Sequence, residues 1–372
     1  MEQTLLEKTV ALRHQLHAHP ELSGRERETQ ERLMAFLQEN APAVELFRRD
    51  GWFYGVYRGE PAGRRIAFRA DMDALPIDET ISLPYGSQTP GVSHKCGHDG
   101  HSATLAALAA DISRTGCKNT VYFVFQPAEE TGEGAMHCAS LMDEEQVEEI
   151  FAWHNCPNAP EHTVLLRHGT EACASEGMSL YFHGAPSHAS DPFLGRNPAF
   201  AIARLVTALP ALYRAEEQQG LVLATVVHVQ VGEAAFGTSP GDGVLRVTLR
   251  AEREEELNRL RRRVDQLAYG LSAEYGLEYH AECCDRFPET RNHDESVDKV
   301  AAVCRQLGVP WAEMPFAERG SEDFGYFTQR TRGAYFLVGS GEGPAYHTTA
   351  FDFPDRIIPT ALRILRALAE TD

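Results

Sequence analysis

Apolar positions along this chain recur first with a helical period, then with the short spacing of strands. From Thr4 to Ala18, Leu5, Leu6, Val10, Leu12 and Leu16 predict an amphipathic helix that stops at His19-Pro20. A second helix is expected over about 26–38, after the Ser23-Gly24 break. The pattern then changes to β-rich runs at 52–57 (WFYGVY) and 64–69 (RRIAFR), followed by apolar runs at 120–125 (TVYFVF) and 149–153 (EIFAW). Between them, the Ala/Leu-rich 102–113 and the segment 133–142 read as helices. Strands alternating with helices imply an α/β fold.

The organisation shifts near residue 176. A strand over 177–184, a helix over 197–213, strands over 221–231 and 244–251 and a long charged helix over 254–275 make a compact α/β sandwich. Beyond about Phe287 the earlier pattern resumes, with a helix at 296–307, a strand at 334–338 and a helix at 355–369. The expected domains are 1–175 and 288–372 for one unit and 176–287 for a second one inserted into it, because the ends of an inserted domain lie close together.

Composition narrows the possibilities. At 372 residues the chain exceeds the size at which single cores stop growing, and 43% hydrophobic content supplies two. A formal net charge of -19 with no long basic run argues against a nucleic acid or anionic membrane partner. Met1-Glu2-Gln3-Thr4 lacks the basic and apolar regions of a leader, and no window reaches the length of a membrane span, so a cytoplasmic location is expected. Eight cysteines without disulfide-framework spacing, and without a CxxC pair, fit a reducing compartment.

The chemistry concentrates at Ser93-His94-Lys95-Cys96-Gly97-His98-Asp99-Gly100-His101. Three imidazoles, a thiol and a carboxyl stand together there, with glycines that let the backbone fold round an ion. If the stretch is extended, alternate residues face one way, which makes Cys96 and His98 the pair best placed to share it. The bland reading is a group of surface imidazoles beside a capping Asp99. Asp71 and Asp73, at the end of the 64–69 run, are either ligands or anchors for a ligand imidazole. Glu129 and Glu130 follow the 120–125 run, where one carboxylate can bind metal while the other moves protons; the alternative is an acidic start to the next helix. His154 ends the 149–153 run, with Cys156 as a rival ligand. His347, beyond the loop Gly339–Pro344, is a late metal ligand that a mobile loop would bring to the cluster. The glycine-rich loop itself lacks the G-K-[ST] of a phosphate site. His14, His17 and His19 read as structural, since Glu21 is the only acid evident nearby. His188 lies on a Pro-bounded loop, and Arg250 either holds an anion or pairs with the acids that follow it.

In order, HQLHAHPELSGRE, FRADMDALPI, HKCGHDGHSA, FQPAEETGEGA, His154-x-x-Pro, GAPSHAS, GSEDF and YHTTAFDF resemble the metallo-amidohydrolases over almost the whole chain. That family includes hippurate hydrolase, the auxin-conjugate hydrolases and the N-acyl-amino-acid amidohydrolases, and is related to aminoacylases and zinc carboxypeptidases. The resemblance implies a zinc-exopeptidase-like catalytic domain, with a mixed sheet flanked by helices, and a smaller lid that also forms a homodimer. It implies two divalent ions, zinc foremost with manganese or cobalt accepted, held by Cys96, His98, Glu130, His154 and His347. Glu129 would be the general base, His188 would hold the reacting carbonyl and Arg250 the substrate carboxylate, while Asp71 and Asp73 would stand behind the ligands. The implied reaction is hydrolysis of an N-acyl amino acid, a small molecule, to a carboxylic acid and a free amino acid. The family's Asn-x-Ile-Pro is replaced here by Phe236-Gly237-Thr238-Ser239-Pro240-Gly241-Asp242, and only Thr248-x-Arg250 remains of Gly-Thr-x-Arg, so the departure falls on the lid side of the substrate.

Competing readings are a dipeptidase or carboxypeptidase using the same site, a cysteine hydrolase built on Cys96 and a histidine, and a metal-stabilised binding module without activity. The last predicts loss of the base, yet Glu129 is present.

Overall fold

The computed structural model describes residues 3–213 and 218–372; Met1 and Glu2, part of the stretch read for a leader, lie outside them. The chain forms two compact units, residues 1–171, 290–317 and 323–372 in the first and 172–289 with 318–322 in the second. The short stretch 318–322 goes with the second unit because Glu318 O and Gly320 O both accept the Cys173 N–H, and Ser321 Oγ meets Ser175 Oγ at 2.8 Å. Hydropathy carries no trace of that excursion.

Among the described residues, the first unit is built on an eight-stranded mixed sheet in the order Val44–Arg48, Phe53–Tyr57, Thr120–Gln126, Arg65–Asp71, Glu149–Cys156, Arg332–Gly339, Val164–Leu166 and Trp311–Glu313. Its four central strands run parallel, whereas Phe53–Tyr57 pairs antiparallel with Thr120–Gln126. The central strands are buried nearly throughout because helices cover both faces, which is why they read as continuous apolar runs. Helices Gln3–Ala18, Arg27–Asn40, His98–Thr115, Asp294–Leu307 and Ile358–Leu368 pack on one face around Phe68, Phe123 and Phe336. Shorter helices, Gly134–Cys138, Ser140–Glu144 and Gly325–Thr328, cover Tyr122, Val124 and Ile150 on the other. The segment expected as one helix over 133–142 is thus two short helices that meet at Ala139.

The second unit is a four-stranded antiparallel sheet in the order Val222–Val231, Asp242–Ala251, Ala174–His183, Glu278–Phe287. Met178, Leu180 and Phe182 alternate towards helices Ala199–Leu212 and Glu254–Glu274, where they meet Leu245, Val247, Leu257 and Val264. The strand Glu278–Phe287 was not expected. It is a mostly exposed edge with polar residues on both faces, so it lacks the alternation that marks a strand. No helix among the described residues is long and apolar enough to cross a membrane.

Candidate metal centre

Three neighbouring parallel strands deliver the chemistry at their carboxyl ends, the edge on which open α/β sheets place ligands. Arg65–Asp71 ends in Asp71, with Asp73 just beyond; Glu129 and Glu130 follow Thr120–Gln126; and His154 lies within Glu149–Cys156, which runs further than hydropathy suggests. Cys96 and His98 come together differently from the extended stretch assumed above. His98 is the first residue of the helix His98–Thr115, and the chain turns into it at Gly97 with φ +114. Only glycine fits that corner, since a Cβ there would also lie 2.2 Å from Asn155 Oδ1. His347 is fastened to the cluster's stretch through its backbone, whose N–H donates to Lys95 O at 2.8 Å.

The implied ligand residues converge. Cys96 Sγ is 3.4 Å from His154 Nε2, and His98 Nε2 is 3.7 Å from Glu130 Oε1 and 3.8 Å from Glu129 Oε2. His347 Nε2 lies 3.4 Å from Glu130 Oε2. Ligand atoms of Cys96, His98 and His154, of Cys96, Glu130 and His347, and of His98, Glu129 and Glu130 fall within 4.8 Å of one another in each group. Cys156 is in none of these groups.

Ring orientation tests whether a cation fits. His98 Nδ1 faces Asp73 O and Oδ1, both at 3.1 Å, and His154 Nδ1 donates to Asn155 O at 2.8 Å. Each ring is thereby turned so that Nε2 faces the cluster, the arrangement of imidazoles that bind metal. His98 Nε2 and Glu130 Oε1 are buried with no hydrogen-bond partner. Orphaned polar atoms that face each other across a buried gap suit a cation between them. His101 also reaches the cluster, but its two nitrogens are taken by Asp71 Oδ1 at 2.7 Å and Asn155 Oδ1 at 2.8 Å.

The electrostatics agree with that fit. Burial works against the charged form of His98, but Asp71, Asp73 and Glu130 outweigh it and push the ring up to about 10. His154 is held well below its ordinary value by burial and by His101, so it is a neutral donor. Burial and the Glu130, Glu129 and Asp71 carboxylates push the Cys96 thiol well up. A divalent ion reverses that last effect, since a coordinating thiol gives up its proton.

Both aspartates already hold other groups. Asp71 accepts from His101 and, at 2.9 Å, from Arg69 Nη1; Asp73 Oδ2 accepts Ser23 Oγ at 2.7 Å and the Glu130 N–H at 2.9 Å. Behind them lies a buried charge network that the sequence did not disclose. His17, for which Glu21 is the only acid evident nearby in sequence, sits between Asp99 Oδ2 and Glu79 Oε1, both at 2.8 Å, and His14 Nε2 is 2.9 Å from Asp355 Oδ2. Arg13 bonds Asp355 at 2.8 Å and Asp352 at 3.0 Å, while the buried Lys95 ammonium donates to Glu79 at 2.5 Å and to Phe351 O at 2.8 Å. Their acids stand tens to hundreds of residues away in sequence, where no local signal could find them.

The remaining two expected residues belong to the second unit. His188 is exposed on the short strand Ser187–His188, paired with Thr238–Ser239, and its Nδ1 meets Ser190 Oγ at 2.8 Å. Arg250 does not pair with the acids that follow it. Its Nη1 donates to Arg319 O at 2.5 Å and to Ser321 Oγ at 2.6 Å, and burial lowers its pKa from the ordinary value.

The chain resembles known proteins over nearly its whole length. Residues 67–371 match the description of Peptidase family M20/M25/M40. The chain is 28% identical over 366 residues to a hippurate hydrolase of Campylobacter jejuni, covering 96% of this chain and 94% of that protein. It is 27% identical over 370 residues to an N-acetylcysteine deacetylase of Bacillus subtilis, covering 97% and 96%. A crystal structure of a dinuclear metal binding peptidase from Bacillus subtilis superposes with a TM-score of 0.84 at 25% identity, over 99% of this chain and 98% of the other.

Proposed function

Because the chain belongs to Peptidase family M20/M25/M40 and is a metal-dependent hydrolase of amide bonds, we propose that it cleaves N-acyl amino acids to a carboxylic acid and a free amino acid. The observation that carries this reading is the convergence of His98 Nε2, Glu129 and Glu130 in one buried cluster within reach of Cys96, His154 and His347. The names of the relatives, a hippurate hydrolase and an N-acetylcysteine deacetylase, both describe N-acyl amino acids as substrates.

In this reading Cys96, His98, Glu130, His154 and His347 hold two divalent ions. A thiolate, imidazoles and a carboxylate are borderline-soft donors that favour zinc, with manganese and cobalt also suited to the imidazoles and carboxylate. When bound, such ions supply Lewis acidity and bring the pKa of water down to about 7. Glu129, whose carboxylate is not needed to complete the ligand set, accepts the proton of the attacking water. Water oxygen bonds to the carbonyl carbon, the C–N bond breaks, and Glu129 returns the proton to the departing nitrogen, a transfer typically worth about 10² to 10⁴ in rate. His188 holds the carbonyl oxygen and Arg250 the substrate carboxylate. For Arg250 this requires release of Ser321 Oγ or use of the guanidinium nitrogens that Arg319 and Ser321 leave free.

The protein acts as a homodimer through the second unit. Val222–Val231 is an edge strand of its sheet, and Phe193, Val227 and Phe236 stand exposed on the same unit, a combination that self-association covers. Eight cysteines, none of them in a disulfide, suit a reducing, cytoplasmic setting. A metal-supplemented panel of acetyl-, benzoyl- and fatty-acyl amino acids, set against free dipeptides and read by release of free amine, tests the reading. Turnover confined to the dipeptides would make the protein a dipeptidase on the same centre.

A further inference from the structure

The turn that presents Glu129 and Glu130 is held from a distant part of the chain. Ala128, which opens it, has φ +49, a conformation that a residue with a Cβ adopts only where its surroundings impose it. Downstream, the turn is closed by its own backbone, from the Gly132 N–H to Glu129 O at 2.8 Å and from the Gly134 N–H to Ala128 O at 3.1 Å. Upstream, the Ala128 N–H donates to Glu26 Oε1 at 2.8 Å. Glu26 is 2% exposed and sits just ahead of the helix Arg27–Asn40; the same oxygen accepts the Gly24 N–H at 2.9 Å. Ser23, in the same short loop, donates to the Asp73 carboxyl that takes the Glu130 N–H. Glu21 fastens the loop in turn by accepting both the N–H and the Oγ1 of Thr29, at 2.8 and 2.9 Å.

We propose that Glu26 is a positioning residue for the hydrolytic step, whose carboxyl holds the Ala128 amide and thereby fixes the turn that aims Glu129 and Glu130 into the centre. This inference rests on the function proposed above, since it takes Glu129 as the base and Glu130 as a ligand. Glu26 works as an acceptor, so glutamine, which keeps Oε1, performs the same task. Methionine fills the same space and offers only a thioether sulfur, a weak acceptor, in place of the carboxyl oxygen.

The test compares Glu26→Met and Glu26→Gln in the full chain by three readouts. These are hydrogen–deuterium exchange over 126–134 in metal-free protein, zinc stoichiometry, and kcat with KM on the best N-acyl amino acid of the panel. Expected for Glu26→Met are faster exchange at Ala128, two zinc ions still bound, and kcat lower on the order of ten- to a hundredfold, with KM unchanged. Expected for Glu26→Gln is wild-type behaviour throughout. Should Glu26→Met not fold, Glu26→Asp, which withdraws the acceptor by one methylene, takes its place with the same expected outcome. Unchanged exchange at Ala128 in the Met variant, or a Gln variant as slow as the Met variant, overturns the proposal. If exchange responds as stated while the wild type cleaves no N-acyl amino acid, the brace stands and the substrate assignment falls.

Discussion

Asp73 and His98 are joined through the ring nitrogen that does not face the cluster, with Nδ1 at 3.1 Å from Asp73 Oδ1. The other carboxyl oxygen of Asp73 receives the Glu130 N–H at 2.9 Å. One buried side chain thus orients two of the proposed ligands. In Asp73→Asn, whichever way the amide is turned, its NH₂ opposes either the His98 N–H or the Glu130 N–H. Metal affinity is expected to fall on the order of ten- to a hundredfold, as is usual when the group behind a ligand is lost. Competition with a chromophoric chelator measures this, and an affinity equal to wild type would remove Asp73 from the design of the centre.

Glu129 lies beside Glu130 yet is assigned a different task. Glu129→Gln keeps the shape and loses the proton acceptor, so kcat is expected to drop on the order of 10² to 10⁴ while both metals stay bound. Metal analysis and steady-state kinetics on the same preparation decide the matter. Near-full activity in a fully loaded variant would be incompatible with the proton path.

Removing the metal separates this mechanism from a thiol hydrolase built on Cys96. Burial and three carboxylates keep that thiol protonated in the metal-free protein, so it is a poor nucleophile there. Exhaustive chelation is expected to abolish activity, and zinc, manganese or cobalt to restore it. Metal loading also raises the unfolding midpoint, because ligands that bind only the native state stabilise it. Metal-stripped protein that still turned over at full rate would favour the thiol.

The turn after Glu130 gives a purely steric prediction. A Cβ on Gly134 would lie 1.6 Å from Pro127 O, and backbone cannot yield as a flexible side chain can. Gly134→Ala is therefore expected to cost about 1–3 kcal/mol of stability, as overpacking does. It should also slow catalysis, because Pro127 leads directly into the Glu129 turn. Urea denaturation and kcat report the two effects, and a variant unchanged in both would show that the turn has slack.

Short-range chemistry explains what the sequence disclosed. The strands that read as apolar runs are those buried on both faces, and Glu130 and His154, two of the proposed ligands, stand near or just past their ends, where polarity returns abruptly. Glu278–Phe287 escaped notice because an exposed edge strand has no buried face to impose alternation. His17 seemed to lack acids because Glu79 and Asp99 reach it only through the tertiary fold. The same holds for Glu26 and Ala128, which share a hydrogen bond across about a quarter of the chain. Side chains whose partners are local announce themselves; those that join distant loops do not.

His17 offers the last prediction, on stability against pH. Burial by itself would lower its pKa, but hydrogen bonds to Asp99 and Glu79 prevail and raise it to about 9. An unfolded chain releases that proton near pH 6.5, so between the two values the native state binds it more tightly. The stabilisation is accordingly fully present below about pH 6.5 and is lost as pH rises through about 9, with an upper size on the order of 3 kcal/mol. His17→Gln removes the titrating group. In metal-free protein, where metal binding adds no pH dependence of its own, urea unfolding should show the wild type ahead of this variant by most at pH 6 and by progressively less towards pH 10. A gap between the two proteins that stayed constant or widened with pH would mean that His17 is held neutral between its acids, contrary to the geometry of two carboxylate acceptors on one ring.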